Sequence, residues 1–220
     1  MGKADGGHPE EFLAIDFETA ASFRESACAV GVAYFAEGVM VENTATLIDP
    51  GLGRSAWSHF NIGIHGIQPE DVEGAPTFME AWTDLMGKYP GVPLVAHNAA
   101  FDMGVVRAEL TAAGGRLDSP LLYTCSAAVA KATWTDMKSV SLPVISERLG
   151  IELNHHEAGS DARACGEVML HAVEKLGTNS VEEALGHLNR TWGEIQTDLT
   201  WTTGSRSKRT GSKRAGRKPS

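Results

Sequence analysis

The order of the apolar segments constrains the fold of this chain more than any other feature of its sequence. Residues 12–17 have the composition of a buried strand, and alternating apolar residues at 27–35 and 39–48 predict two further strands. Because the turn between the last two is short, the three strands are expected to form an antiparallel meander. Short apolar segments at 93–96 and near Leu121 then alternate with helical patterns. This order predicts an α/β fold, in which a mixed sheet is flanked by helices.

Helical spacing and helix-boundary residues predict six helices after a turn-rich loop that runs to about residue 67. The predicted helices lie at 76–89, 100–113, 127–131, 141–149, 160–176 and 180–196. The last one begins at a capping-box pattern formed by Ser180 and Glu183. The predicted organisation is a flexible N-terminus at 1–10, one domain at 11–177, a C-terminal helix and adjoining peptide at 178–203, and a disordered tail at 204–220.

The composition is that of an ordinary soluble globular protein, with 42% hydrophobic and 21% charged residues. No apolar run approaches the roughly 18 residues that suggest a membrane span, and no secretory signal is apparent near the N-terminus. The three cysteines, Cys28, Cys125 and Cys165, form no CxxC pair, so free thiols are expected. These features predict a cytoplasmic protein that does not act in a membrane.

The net charge of −9 conceals an uneven distribution of charge along the chain. Residues 204–220 contain seven of the 19 Lys and Arg residues and none of the 28 acidic residues. An acidic body therefore precedes a basic tail. Two interpretations stay open: the tail contacts the phosphates of a nucleic acid, or it is a solvated segment that aids solubility.

Two acidic residues interrupt the first apolar strand. Side chains two positions apart on a strand point the same way, so Asp16 and Glu18 are expected to share one face. Two neighbouring like charges on an apolar strand are costly unless a cation compensates them. The pair therefore indicates a metal site, and a simply solvated strand end is the alternative.

Two further carboxylates lie on the apolar faces of predicted helices. Asp161 falls on the stripe formed by Cys165, Val168, Met169, Ala172 and Leu176. Asp102 is in line with Val105, Val106 and Leu110 in the first turn of its helix. Both are therefore expected to point inward. Helix capping by Asp161, and a favourable interaction of Asp102 with its helix N-terminus, are the competing interpretations.

A histidine precedes the helix that carries Asp161. His156 lies five positions upstream and could accept a proton from a metal-bound water, since the ordinary pKa of histidine is about 6.5. Its neighbour His155 has the same chemistry, and the residues alone do not separate the two.

These segments resemble the DEDDh-type, DnaQ-like 3′–5′ exonucleases. The matching pieces are Asp16-x-Glu18, His97-Asn98-x-x-Phe101-Asp102 and His156-x-Ala158-x-x-Asp161-Ala162. Two shorter segments, His65-Gly66-Ile67 and Ser141-Leu142-Pro143, are also similar to the family. The resemblance covers about residues 11–176. The resemblance implies a ribonuclease-H-like fold. It also favours His156 over His155.

The resemblance implies a role for each matching residue. Asp16, Glu18, Asp102 and Asp161 would bind two divalent cations, Mg²⁺ or Mn²⁺, and His156 would be the general base. The residues expected to border the substrate are Phe17, Thr19, His65, Gly66, Ile67, Asn98 and Phe101. The expected reaction is hydrolysis at the 3′ end of single-stranded DNA, in proofreading or repair, with release of a nucleoside 5′-monophosphate. The alternatives are an RNA-trimming enzyme of the same group and a non-catalytic nucleic-acid-binding protein.

A short peptide near the C-terminus also resembles a known motif. The segment from Gln196 to Trp201 has the pattern Gln-x-x-Leu-x-aromatic, which is similar to the peptides by which bacterial replication proteins bind the sliding clamp. The alternative is that Leu199 and Trp201 pack on the domain at the end of the last helix.

Overall fold

The computed structural model describes residues 11–204, and it contains one seven-stranded mixed sheet covered by helices on both faces. The strands are β1 (Glu11–Thr19), β2 (Ala27–Ala36), β3 (Val39–Leu47), β4 (Leu94–Ala96), β5 (Leu121–Cys125), β6 (Gly193–Ile195) and β7 (Trp201–Thr202). Their order across the sheet is β3-β2-β1-β4-β5-β6-β7. Strands β1, β4 and β5 are parallel to one another, and every other neighbouring pair is antiparallel. The predicted mixed sheet is confirmed.

Seven α-helices and one short 3₁₀ helix (Arg54–Ala56) accompany the sheet in the described residues. The α-helices are α1 (His59–His65), α2 (Phe78–Lys88), α3 (Asp102–Ala112), α4 (Ser126–Thr133), α5 (Leu142–Leu149), α6 (Ala158–Leu176) and α7 (Val181–His187). Helices α2 and α3 pack on one face of the sheet, and α4, α5, α6 and α7 pack on the other. Within residues 11–204, every helix is too short or too polar to cross a lipid bilayer.

The central strand β1 separates the two halves of the core. Its residues Leu13, Ile15 and Phe17 enter the core beneath α2 and α3, whereas Phe12 and Ala14 enter the core beneath α6. The alternation of side chains along a strand carries Asp16 and Glu18 onto the second face. Both acids therefore point towards the N-terminal end of α6.

Two predicted elements differ from the structure. The segment expected to be a loop up to residue 67 contains α1, which begins after the N-cap Ser58 and ends at Gly66 in the left-handed conformation. The last helix was expected to continue to residue 196, but it ends at His187. Asn189 has a φ of 54°, and the Arg190 amide donates to the Leu185 carbonyl, so a Schellman-type cap closes the helix.

The chain after this cap adds strands β6 and β7 to the edge of the sheet instead of a longer helix. The peptide 178–203 is therefore a short helix followed by a hairpin. The predicted flexible N-terminus at 1–10 and the predicted disordered tail, apart from Gly204, lie outside the described residues.

Candidate active site

Three carboxylates from two elements meet at the C-terminal end of β1. Ligand oxygens of Asp16, Glu18 and Asp161 all lie within 4.8 Å of one another. Asp161 is in the first turn of α6 and is 3% exposed, as expected for a residue on the buried stripe of that helix. The inward direction predicted for Asp161 is therefore confirmed, and Asp16 and Glu18 share one face of β1 as predicted.

Asp102 is joined to this cluster through the backbone of β1. It is the first residue of α3 and is 1% exposed. Its Oδ1 accepts a hydrogen bond of 3.1 Å from the backbone amide of Phe17, the residue between Asp16 and Glu18. This bond fixes the start of α3 against the strand, so a fourth carboxylate faces the same edge of the sheet.

Burial disfavours the charged forms of Asp16, Glu18 and Asp102, and neighbouring carboxylates add to this effect at Asp16 and Glu18. Burial and the neighbouring carboxylates Asp102, Asp161 and Glu18 raise the pKa of Asp16 well above its usual range. Burial and the same kind of repulsion raise the pKa of Glu18 to about 8. Burial raises the pKa of Asp102 to about 7, although the hydrogen bond from Phe17 opposes the shift.

This donor set fits hard divalent cations. Carboxylate oxygens are the ligands that Mg²⁺ and Mn²⁺ prefer, and cations placed among them would reverse the raised pKa values. The described residues thus provide both the ligand type and the electrostatic need for metal ions. The identity and number of the ions are taken up below as a proposal.

Both histidines before α6 contact Asp161, but through different atoms. The His155 ring places Nδ1 2.9 Å from Asp161 Oδ2 and 3.2 Å from Oδ1. His156 donates its backbone amide to the same Oδ2 at 3.0 Å, and its ring stacks on that of His155 with the centroids 3.7 Å apart. The His156 ring thus makes no hydrogen bond to Asp161, and a left-handed backbone at φ 72° holds it beside the cluster.

Burial and the neighbouring His155 lower the pKa of His156 below its usual value. Its ring is consequently neutral near pH 7 and is able to accept a proton. The pKa of His65 is lowered mainly by burial and also by the charge of His156, which shows that these two rings face the same region.

The segment His65-Gly66-Ile67 closes one side of this region. His65 Nε2 lies 3.2 Å from the Thr19 carbonyl, and its Nδ1 accepts from the Ile67 amide at 3.1 Å. Asn61 reinforces the contact, because its Nδ2 donates to the Thr19 carbonyl at 2.8 Å and to the Thr19 hydroxyl at 3.1 Å. Helix α1 is thereby attached directly to the end of β1.

Phe17 differs from the expectation for a substrate-bordering side chain. It is 3% exposed and packs against Phe78 in the core, with ring centroids 6.1 Å apart. The alternation along β1 explains this, because Phe17 points away from the face of Asp16 and Glu18. Only its backbone amide reaches the site. Thr19 is likewise buried, and its hydroxyl is used by Asn61.

Asn98 and Phe101 lie on the turn between β4 and α3. Asn98 adopts a φ of 72° and its carbonyl accepts from the Phe101 amide at 2.9 Å. The Phe101 ring is partly buried, and the guanidinium carbon of Arg24 lies 5.9 Å from its centroid. Arg24 also donates to the Ala100 carbonyl at 3.2 Å, so the turn is held from the β1–β2 loop.

A cleft of about 480 Å³ opens beside the carboxylates, and Asp16, Asn98, His155 and Asp161 line it. Its far wall is formed by residues 139–143, which comprise the loop before α5 and the first residues of that helix. His97 secures that wall, because its Nε2 lies 2.9 Å from the Val140 carbonyl while Nδ1 lies 2.8 Å from the Ser126 hydroxyl. The cleft thus combines an acidic floor with a largely apolar far wall, and it is open to solvent.

Sequence reasoning missed Asn61 and Arg24, whereas the segment Ser141-Leu142-Pro143, which it had singled out, lies in the wall of the cleft. For Asn61 a signal existed, because Ser58 and Gly66 mark the ends of a short helix within the presumed loop. Arg24 carries no comparable pattern, since only the folded chain brings it to the site.

The C-terminal peptide packs on the domain. Trp201 stacks on Tyr123 with ring centroids 6.4 Å apart, and the guanidinium carbon of Arg107 lies 4.8 Å from the Trp201 ring centroid. Arg107 Nε also donates to the Leu199 carbonyl at 2.7 Å. Leu199 and Trp201 therefore contact the domain, as the alternative to clamp binding expected, although they lie in a hairpin and not at a helix end.

Comparisons with known proteins agree with this arrangement. Residues 13–169 match the model of the RNase T family, described as Exonuclease. A DNA polymerase III PolC-type from Clostridium perfringens (strain 13 / Type A) is 30% identical over 177 residues. That match covers 77% of this chain but 12% of the relative, so the chain spans only a small part of such proteins.

Two solved structures share the fold. Exonuclease X, in complex with 5′ overhanging duplex DNA, has a TM-score of 0.63 at 20% identity, covering 80% of this chain and 99% of the other. The nuclease domain of 3′hExo, a DEDDh family member bound to rAMP, has a TM-score of 0.60 at 14% identity, with coverages of 76% and 93%. The family match, which takes in all four carboxylates and the His156 segment, decides the assignment. The chain belongs to the exonuclease family of DEDDh-type, DnaQ-like nucleases.

Proposed function

We propose that this protein is a metal-dependent 3′–5′ exonuclease that degrades single-stranded DNA from its 3′ end, in proofreading or repair. One observation carries the proposal: ligand oxygens of Asp16, Glu18 and Asp161 lie within 4.8 Å of one another, beside the buried Asp102. The relationship to PolC-type DNA polymerases supports DNA as the substrate. The three free thiols support a cytoplasmic location, which is part of the proposal.

The residues have distinct roles in this proposal. Asp16, Glu18, Asp102 and Asp161 hold two divalent cations, Mg²⁺ or Mn²⁺, which when bound stabilise negative charge on the attacking and departing oxygens. His156 accepts the proton of the attacking water at a ring nitrogen, because its lowered pKa keeps the ring neutral. His155 orients Asp161 through its Nδ1. The product is a nucleoside 5′-monophosphate.

The substrate end is expected to lie between α1 and the turn that carries Asn98 and Phe101. His65, Gly66 and Ile67 form one border of this space, and Thr19 contributes through its backbone carbonyl. Phe101, which directly precedes Asp102, offers a partly buried aromatic ring beside Arg24. An aromatic ring can stack on any base, which suits an enzyme that accepts every 3′ nucleotide.

An RNA-trimming activity is the second candidate. The similar nuclease domain of 3′hExo was solved with rAMP bound. The same carboxylate cluster would be able to act on a phosphodiester bond of DNA or of RNA. Discrimination would depend on how the site accommodates a 2′-hydroxyl.

Labelled oligonucleotides test both candidates. DNA and RNA strands labelled at the 3′ or the 5′ end are incubated with Mg²⁺ or Mn²⁺, with EDTA as one control. We expect stepwise loss from the 3′ end, release of 5′-monophosphates and faster degradation of DNA. Asp16→Ala should abolish the activity, whereas Asp84→Ala, a matched change at an exposed acid on α2, should not. Full activity in Asp16→Ala would refute the mechanism.

Clamp binding by the segment 196–201 belongs to the same proposal and stays a prediction. Because Trp201 and Leu199 contact the domain, docking would require the hairpin to release them. Clamp binding that is unchanged after deletion of residues 196–201 would exclude this part.

A further inference from the structure

Arg190 is a cation whose side chain is not paired within the described structure. It follows α7, where its backbone amide completes the helix cap by donating to the Leu185 carbonyl at 2.8 Å. Its side-chain Nε is buried and has no hydrogen-bond partner. None of the ion pairs among residues 11–204 involves Arg190. A buried donor without a partner is unfavourable, so this guanidinium is suited to receive one.

A cavity of about 170 Å³ lies next to Arg190. Its lining includes Asn98, Ala100, Cys125, Arg190 and Gly204. Asn98 also lines the cleft of the carboxylates, together with Asp16 and Asp161. The Asn98 turn is therefore a shared wall, with the acids on one side and Arg190 on the other.

The sheet sets the distance between the two sites. Asp16 lies near the C-terminal end of β1, and Cys125 is the last residue of β5. Strands β1, β4 and β5 are parallel neighbours, so these ends lie at the same edge of the sheet, two strand spacings apart. Two spacings amount to about 10 Å. A nucleic-acid strand whose 3′ end is at the acids would reach Arg190 within a few nucleotides.

Arginine is well matched to a phosphate group. Its planar guanidinium binds phosphate oxygens in a bidentate manner and keeps its charge at all physiological pH values. The described residues contain far more acids than bases, and four of the basic residues are already in ion pairs with Asp or Glu: Arg54, Lys88, Arg148 and Arg163. Arg24, also near the acids, donates to the Ala100 carbonyl, whereas the buried Nε of Arg190 has no acceptor among the described residues.

We propose that Arg190 binds a backbone phosphate of the substrate strand, on the 5′ side of the scissile bond. This inference rests on the proposed function and adds a specific contact to it. Gly204 lines the same cavity, so the basic segment follows in sequence from a residue at this site. In this proposal the substrate strand runs from the carboxylates past the cavity of Arg190.

Neutral phosphate analogues test the contact. Single methylphosphonate linkages are placed one to four positions 5′ of the scissile bond, and kcat/KM for removal of the first nucleotide is measured with the full chain. We expect one position at which the neutral linkage lowers kcat/KM about 10-fold in the wild type. In Arg190→Ala, kcat/KM with unmodified DNA should already be lower by a similar factor, and the linkage at that position should have no further effect.

The salt dependence of binding gives a second readout. The affinity for unmodified oligonucleotide is measured in EDTA at several salt concentrations. In Arg190→Ala the negative slope of log K against log salt concentration should become shallower by about 0.7, since one phosphate contact is removed. Arg190→Lys should restore the slope but only part of kcat/KM, because lysine keeps the charge and lacks the planar donor pair. Arg148→Ala, which removes an exposed arginine paired with Asp136, is the matched control and should change neither quantity.

The outcomes separate this inference from the proposed function. If the neutral linkages lower kcat/KM at the same position and by the same factor in Arg190→Ala as in the wild type, the phosphate contact is refuted while the exonuclease assignment stands. If the wild type degrades neither DNA nor RNA, the proposed function itself fails. Because the wild type and the variant are each compared on modified and unmodified strands, a general loss of stability in Arg190→Ala cannot imitate the expected pattern.

Discussion

Gly31 lies directly opposite Asp16 in the β1–β2 pair, and it allows α6 to approach the strand that carries the acids. A Cβ atom on Gly31 would lie 1.8 Å from the carbonyl oxygen of Ala158, the first residue of α6. The absence of a side chain at this one position therefore brings the start of α6, and with it Asp161, next to Asp16.

Gly31→Ala should consequently impair both stability and activity. The new methyl group must push the α6 backbone away, which we expect to cost roughly 1–3 kcal/mol in the free energy of unfolding. Displacement of Asp161 should reduce exonuclease activity by about 100-fold. Gly87→Ala, at an exposed position of α2 where a Cβ meets no atom within 4 Å, is the control and should be neutral or stabilising. Urea unfolding and rate measurements would reveal both effects, and wild-type behaviour of Gly31→Ala would contradict them.

Neutral replacements of the acids should separate stability from activity. Glu18→Gln removes a group that must take up a proton on folding at pH 7, because its folded-state pKa is about 8, so the metal-free variant should unfold at a higher temperature than the wild type. The same change should lower activity by more than 100-fold, because a proposed metal ligand is lost. Calorimetry in EDTA and activity assays in Mg²⁺ provide the two measurements. A variant that is less stable than the wild type would argue against the raised pKa of Glu18.

The stability of the metal-free protein should fall as the pH rises. The folded-state pKa of Glu18 is about 8 and that of Asp102 about 7, whereas the unfolded chain titrates these groups near 4. Between those values the folded protein binds more protons than the unfolded chain, so the free energy of unfolding decreases with pH. Urea unfolding in EDTA from pH 7 to pH 8 measures this decrease, because His65, His97 and His156, whose lowered pKa values have the opposite effect, are mostly neutral there in both states.

A control variant identifies the source of the pH dependence. The double variant Glu18→Gln, Asp102→Asn should show a smaller decrease over the same range, because two of the responsible groups no longer titrate. Added Mg²⁺ should stabilise the wild type more at pH 8 than at pH 5.5, since protons compete with the metal for the carboxylates. A stability that rises with pH in EDTA would refute the explanation.

The two adjacent histidines should differ in their contribution to catalysis. His156→Ala should lower kcat about 10²–10⁴-fold, because the proposed proton acceptor is lost. His155→Ala should have a smaller effect, about 10–100-fold, because its ring hydrogen-bonds Asp161 and acts through that residue. Single-turnover rates in Mg²⁺ at several pH values compare the two. If His155→Ala were the more damaging change, His155 would be the better candidate for the general base.

Trp201→Ala should destabilise the domain. The ring stacks on Tyr123 and lies over the Arg107 guanidinium, and such contacts contribute about 0.5–1.5 kcal/mol each. Thermal unfolding of the full chain would show the loss. The exposed Phe60→Ala is a suitable control for removal of an aromatic ring. An unchanged melting temperature in Trp201→Ala would mean that the hairpin is free to engage a partner.

Local sequence patterns were sufficient to predict the directions of three of the acidic side chains. The alternation along β1 was sufficient to place Asp16 and Glu18 on one face, and the helical stripe was sufficient to turn Asp161 inward, because both depend on the fixed geometry of a strand and a helix. The same reasoning failed after His187. There Asn189 ends the helix and the following residues pair with β5, a choice decided by the free edge of the sheet and not by local propensity.

The sequence by itself therefore determined the mixed sheet, most of its helices and strands up to His187, and the directions of Asp16, Glu18 and Asp161. Tertiary structure alone decided which histidine ring contacts Asp161, that Phe17 is buried in the core, and that Arg190 lies across the Asn98 turn from the acidic cleft. The physical reason is the same in each case. These relationships join residues from separate elements, and their distances are set by how the helices pack on the sheet, which no short-range pattern encodes.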